Sequence, residues 1–282
     1  MIQFKFDLYP KDGNLGKRIP FGYKFRGVIM KWLKESNPEL ASAFHCPEKV
    51  RPYAINTIPR REHSKIEFIL TSYNENLSDT VIQDLLKSEK TKITVDHQVF
   101  FIAKIRFERP DLLQMKANAS PITKFQIHFV TPIYLSTIMG DYPLRFPIPQ
   151  AFFGNLVHLW NEMAKKEIRI ARDELIQWID AHMYISGYKM KTVKRHIGKS
   201  RPLAGGIGNA TYRIKKINTN FYKHLLEELD KEDRYEEAQN HYREKCSLID
   251  LLCKVGTYTN VGGNRTAGMG VIRYFPKNFL KE

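Results

Sequence analysis

The residues best suited to gripping a polyanion lie at 189–201, KMKTVKRHIGKSR. Lys189, Lys191, Lys194, Arg195, Lys199 and Arg201 fall there with no acid among them, whereas a merely solvated loop mixes the two signs. Such a run can replace the counterions of successive phosphates, which points to nucleic acid. It leads into Gly205-Gly206-Ile207-Gly208, and a second basic stretch, Lys49, Arg51, Arg60 and Arg61, lies in the first third of the chain. A third feature is Val261-Gly262-Gly263-Asn264-Arg265-Thr266-Ala267-Gly268-Met269-Gly270-Val271. Gly262, Gly263, Gly268 and Gly270 permit positive φ and close backbone approach, successive N–H groups in such a turn can form an anion nest, and Arg265 beside them is a candidate RNA contact. The spacing is not GxxxxGK[ST], and no helix opening on Lys follows, so a nucleotide P-loop is not implied.

The rest of the composition narrows the field. Lys and Arg number 45 against 30 Asp and Glu, a formal charge of +15, and such an excess is kept for a polyanionic partner. Cys46, Cys246 and Cys253 form no CxxC pair, so neither a disulfide framework nor a zinc site is expected, and no HxxEH or DxD cluster suggests a metal or other cofactor. The acids Glu227, Glu228, Asp230, Glu232, Asp233, Glu236 and Glu237 crowd into 218–244, which reads as a solvated helix and not as a metal site. No apolar run approaches membrane length and the N-terminus goes straight into a strand pattern, so a cytoplasmic protein is expected.

The elements that must position these features repeat. Ile2, Phe4, Phe6 and Leu8 alternate as a strand, and Phe25, Val28, Ile29, Trp32 and Leu33 recur at helical spacing over 21–36. Strands at 50–58 and 65–72, a helix over 79–88 capped by Ser78, and a strand pair over 91–107 complete the first half. The second half repeats the order: a strand at 122–135, a helix opened by Pro147 and Pro149, strands at 182–192 and 207–217, a helix at 245–254 and a last strand at 270–275. Phe25-Arg26-Gly27-Val28-Ile29 and Phe152-Phe153-Gly154-Asn155-Leu156 occupy matching places. The expectation is an α+β chain of two tandem ferredoxin-like (βαββαβ) domains, 1–115 and 120–282.

Two such halves closing on a Gly-rich segment that ends Gly268-Met269-Gly270 before the last strand resemble the RAMP superfamily of CRISPR-associated proteins. Gly187-Tyr188 before the basic run, Gly205–Arg213 (GGIGNATYR) and Val261–Val271 make the chain similar to the Cas-six endoribonucleases that process CRISPR repeat transcripts. The resemblance implies cleavage of precursor RNA within repeats without a metal, because RNA carries its own nucleophile, the 2′-OH, and leaves a 2′,3′-cyclic phosphate and a 5′-OH. It places the catalytic histidine shortly after the first helix, where His45 stands, with Lys49, or alternatively Arg51, holding the charge on phosphate. Some relatives carry a tyrosine on the first helix where this chain has Met30; Tyr23 or Tyr53 takes that place, or no tyrosine is used. The alternative reading is a non-catalytic RNA-binding subunit of a CRISPR effector complex; a DNA-binding or structural basic protein is a third. The implied partners are repeat RNA, other effector subunits and a second copy of the chain, and no membrane.

Overall fold

The computed structural model describes residues 1–15, 22–45, 51–87, 91–136, 142–197, 202–225 and 231–280. Its elements run β1 (Ile2–Pro10), α1 (Gly22–Ser36), α2 (Pro38–His45), β2 (Tyr53–Arg60), β3 (Lys65–Ser72), α3 (Glu75–Lys87), β4 (Lys92–Val95), β5 (Gln98–Glu108) and α4 (Leu112–Ala117). There follow β6 (Ile122–Ile133), β7 (Leu135–Ser136), β8 (Pro143–Leu144), α5 (Pro149–Met163), α6 (Arg172–His182), β9 (Met183–Arg195), β10 (Leu203–Ile214), α7 (Thr219–Leu225), α8 (Lys231–Thr259) and β11 (Ile272–Phe279). The first sheet has the order β2-β3-β1-β5-β4 and the second β11-β6-β10-β9. Both are antiparallel, with β7 and β8 forming a separate ribbon. With β4 set aside as an added edge, the two sheets share one strand order, the ferredoxin-like one.

Alternation decides which face each strand buries. Phe4, Phe6 and Leu8 point into a core with Phe25, Ile29, Leu33, Phe68 and Leu70, leaving Gln3, Lys5 and Asp7 on the other face. Phe6 stacks on Phe68 with ring centroids 5.3 Å apart. In the second half Phe125, Ile127 and Phe129 face Phe152, Leu156, Ala210, Tyr212 and Leu252. Trp160 and Trp178 are fully buried there, each adding roughly 1.5–3 kcal/mol over an exposed side chain.

Several expectations are corrected. Ser78 lies inside α3, where its Oγ donates to Asn74 O; the cap is Asn74, whose Oδ1 accepts from Leu77 N at 2.9 Å. The helix expected at 245–254 is the 29-residue α8, which absorbs much of the acidic run. The helices α2, α4 and α6 were not anticipated. The strand expected at 182–192 is found as β9, which runs on to Arg195 and so takes in Lys194 and Arg195 as well as Lys189 and Lys191.

The halves meet at fixed points. Asp250 of α8 accepts from Tyr274 Oη at 2.6 Å and from Ser120 N at 2.9 Å, which ties the connecting segment to the second core. Arg265 Nη1 donates to Tyr73 Oη at 3.2 Å, Tyr73 Oη donates to Thr259 O at 2.9 Å, and Asn260 Nδ2 donates to Ile55 O at 2.9 Å. Burial pushes the Tyr73 phenol up to about 12, so it stays a donor at physiological pH.

Candidate functional site

The Gly-rich segment sits at this junction, wedged between α1 and the second core. Its N–H groups are used inside the chain. Gly262 N donates to Asn155 Oδ1, Gly263 N to Tyr134 O, Gly268 N to Arg265 O and Gly270 N to Pro132 O. The open anion nest expected at these glycines is therefore not formed by those four groups. Close approach is what they provide instead. A Cβ on Gly263 would lie 2.2 Å from the Tyr134 ring, and Gly268, at φ +80°, lies against Gly22 at the start of α1. Arg265 is buried, its guanidinium 5.8 Å from the Tyr73 ring centroid.

Around the wedge the sequence builds a cationic cluster. The apolar stripe of α1 leaves Arg26 half-buried on its flank. Asn37 separates α1 from α2 by one residue, its Oδ1 accepting from Leu40 N at 3.0 Å, so the chain turns at once into α2. Phe44, near the end of α2, packs against Tyr53 with centroids 5.9 Å apart, which brings that end to the start of β2. Arg51 Nη1 donates to Thr266 Oγ1 of the wedge at 3.3 Å. The buried Tyr53 hydroxyl lies 3.8 Å from Met30 Sδ, with Arg26 and Thr266 close by. Tyr134 Oη accepts from Asn264 Nδ2 at 2.6 Å on the other side of the wedge.

The electrostatics of this cluster are those of an anion site. Burial, and then the Arg26 charge, pull the Arg51 pKa down. Among the described residues neither Arg26 nor Arg51 has a carboxylate partner. Two guanidinium groups held together without a counter-charge favour an incoming phosphate. Burial raises the Tyr53 pKa, so its phenol stays protonated. Among the described residues no group of three His, Cys, Asp or Glu could hold a metal ion, and no helix is long and apolar enough to cross a membrane.

The expected site residues divide accordingly. His45 closes α2 beside this cluster, but its side chain, and all of 46–50 with Lys49, lie outside the described residues. Arg51 is in the cluster, whereas Arg60 pairs with Glu67 at the far end of β2 and Arg61 is exposed beyond it. Lys189 and Lys191 are exposed on β9, opposite Asn209 and Ile207. Lys194 and Arg195 lead to the tip of the β9–β10 hairpin, where Lys199 and Arg201 lie outside the described residues. Arg26, Thr266 and Tyr134 were missed. The only sequence signal for Arg26 was its place in the repeated helix opening.

The family described as CRISPR-associated endoribonuclease Cas6 matches residues 127–272. The chain belongs to that family. The Cas6 (TTHB231) product complex superposes with a TM-score of 0.70 at 16% identity, covering 97% of this chain and 99% of that one. The Cas6 (TTHA0078) product complex gives 0.70 at 13%, with the same coverages. A Cas6-related protein from Pyrococcus furiosus gives 0.51 at 12%, covering 97% of this chain and 98% of that one. At such identities these likenesses speak for the fold, two tandem ferredoxin-like units. No curated protein matches the chain.

Proposed function

We propose that this Cas6-family chain cleaves CRISPR precursor RNA within its repeats, without a metal, at the cluster where α1, the end of α2, β2 and the Gly-rich wedge meet. The supporting observation is the pair Arg26 and Arg51 beside Tyr53 and Thr266, Arg51 desolvated by burial and neither paired with a carboxylate among the described residues. The 2′-oxygen attacks the adjacent phosphorus as the P–O5′ bond breaks. The 2′-OH gives up its proton, and the departing O5′ takes one up. His45, the next residue after the Tyr53-packed Phe44, is assigned to proton transfer. Arg51, with Arg26 behind it and Lys49 from the adjoining segment, holds the charge that builds on the phosphate oxygens. The products are a 2′,3′-cyclic phosphate and a 5′-OH. Lys189, Lys191, Lys194, Arg195, Lys199 and Arg201 hold the phosphates of the repeat. The wedge glycines act by letting Arg265 and Thr266 reach the first half.

The test is cleavage of labelled repeat RNA in excess EDTA. Wild type should cut once, and His45→Ala should cut about 10²–10⁴-fold more slowly while binding is kept. A 2′-deoxy sugar at the cut site should block the reaction. Undiminished cleavage by His45→Ala, or loss of wild-type cleavage in EDTA, would contradict the proposal.

A further inference from the structure

The edge strand of a sheet presents unpaired N–H and C=O groups, a template for a further strand, so each edge is either guarded or used. Most edges among the described residues are guarded. β9 carries Lys189, Lys191, Lys194 and Arg195 and no acid, so two copies of it repel. β11 contains Pro276, which has no N–H to give. β2 lies against the second half, where Asn260 Nδ2 donates to the Ile55 carbonyl. β4 offers four residues. The far half of β5 differs. β4 pairs with Gln98–Phe101 and Ile102 N donates to Thr91 O, whereas from Ala103 to Glu108 the described residues pair with β5 on its β1 side alone. Ile105 and Phe107, opposite Phe6 and Phe4, point to the helix side of the sheet, yet Phe107 is 75% exposed. Lys104 is exposed on the other side and forms no ion pair among the described residues.

The side chains along this edge complement a second copy of themselves. An antiparallel pair about a two-fold axis at Arg106 sets Lys104 opposite the partner's Glu108 and Ile105 opposite the partner's Phe107, and each pairing occurs twice. The two Arg106 guanidinium groups do not meet at the axis. Each is drawn inward, to Asp7 Oδ1 at 2.8 Å and Glu67 Oε1 at 3.6 Å. Moving the axis to Ile105 would set Lys104 against the partner's Arg106, like charge on like. Moving it to Phe107 would call on Arg109 and Pro110, beyond the end of β5. We propose that two copies of this chain join through residues 104–108 of β5, antiparallel and with Arg106 at the axis, so that their first sheets become one. The exposed Phe107 is then covered by the partner's Ile105. The edge shares no residue with the Arg26–Arg51–Tyr53 cluster or the basic hairpin, so the inference stands apart from RNA binding and cleavage.

Sedimentation velocity on the full chain, free of RNA, tests it. So short a contact belongs to the weak, reversible class, and wild type should pass from monomer to dimer between about 1 and 100 µM. Phe107→Glu, at a position the core does not use, should dimerise at least about tenfold more weakly. Lys104→Glu and Glu108→Lys each turn the opposite-charge pairs into like-charge ones, and each alone should weaken the dimer about tenfold. Mixed together they regain both pairs. The mixed dimer, followed through a fluorescent label on one variant, should return to within about threefold of the wild-type Kd. A wild type still monomeric at about 100 µM would overturn the proposal and leave the edge to a strand of another protein. A Phe107→Glu dimer of wild-type Kd would do so too, by placing the contact elsewhere. A mixture no tighter than its two components would refute the register.

Discussion

On the open face of the first sheet Asp7 meets Lys65 and Arg106, Glu67 meets Arg60 and Arg106, and Glu108 meets Lys5. On the corresponding face of the second sheet Lys124, Arg213 and Arg273 meet no carboxylate among the described residues. Strand order is the same in both. One fold has thus been given two electrostatic uses. The first half neutralises its sheet internally and concentrates unpaired cations at its rim, Arg26 and Arg51, beside the end of α2. The second half keeps its sheet and hairpin cationic for a polyanion. In this account chemistry belongs to the first half and grip to the second, with the Gly-rich wedge coupling them.

The largest effect on that division should come from the hairpin. Replacing Lys189, Lys191 and Lys194 together by Ala removes three phosphate contacts. The slope of log K against log salt should then fall by about 2, which a titration of RNA binding against salt reads directly. An unchanged slope would move the RNA path elsewhere. Next comes the coupling. A Cβ on Gly22 would stand 2.8 Å from Ala267 O and Gly268 Cα, backbone atoms that cannot swing aside. Gly22→Ala should cost about 1–3 kcal/mol in urea unfolding and slow cleavage at saturating RNA, because it pushes Thr266 away from Arg51. A variant with wild-type stability and rate would break the idea of a wedge.

The comparison itself can be blurred on purpose. Asp7→Asn frees Lys65, leaves Arg106 with Glu67 alone, and makes the first sheet more like the second. Non-specific RNA affinity at low salt should rise about threefold, and the gain should vanish at high salt. The smallest expected effect is a pH dependence confined to the second half. His182 is buried against Trp178, and its Nε2 accepts from Asn218 N at 3.2 Å, so it is held neutral. Burial lowers its pKa, with nearby charge on His241 and Lys215 adding to this and the Trp178 carbonyl opposing it. The unfolded chain then binds the extra proton more readily. The stability this residue contributes is full above its ordinary pKa of about 6.5 and declines as pH falls below it. Urea midpoints at neutral and mildly acid pH should separate for wild type and converge for His182→Gln.

The sequence made the β-α-β-β-α-β order of both halves legible, because Phe4, Phe6 and Leu8 or Phe125, Ile127 and Phe129 alternate cleanly and α1 and α5 carry regular apolar stripes. It hid α2 because a single Asn37 divides that helix from α1, and it split α8 into a solvated helix and a packed one because Lys231–Arg243 lack an apolar period. The strand β9 was legible only as far as residue 192, since an edge strand with a solvated face tolerates cations as readily as a loop and Lys194 and Arg195 carry no apolar alternation. The four glycines pointed to close approach, correctly, but their partners proved to be protein: Tyr134, Asn155 and Gly22. Arg26 and Thr266 join Tyr53 only through contacts spanning 27 and 213 residues, which no local pattern encodes.

The division between halves is tested most directly by measuring Kd and the single-turnover cleavage rate at saturating protein for two variants side by side, His45→Ala and the Lys189/Lys191/Lys194→Ala triple. The account predicts that the first loses rate and keeps Kd, whereas the second loses Kd and keeps rate. If His45→Ala lost binding as the triple does, or the triple lost rate at saturation, the separation of chemistry from grip would be wrong.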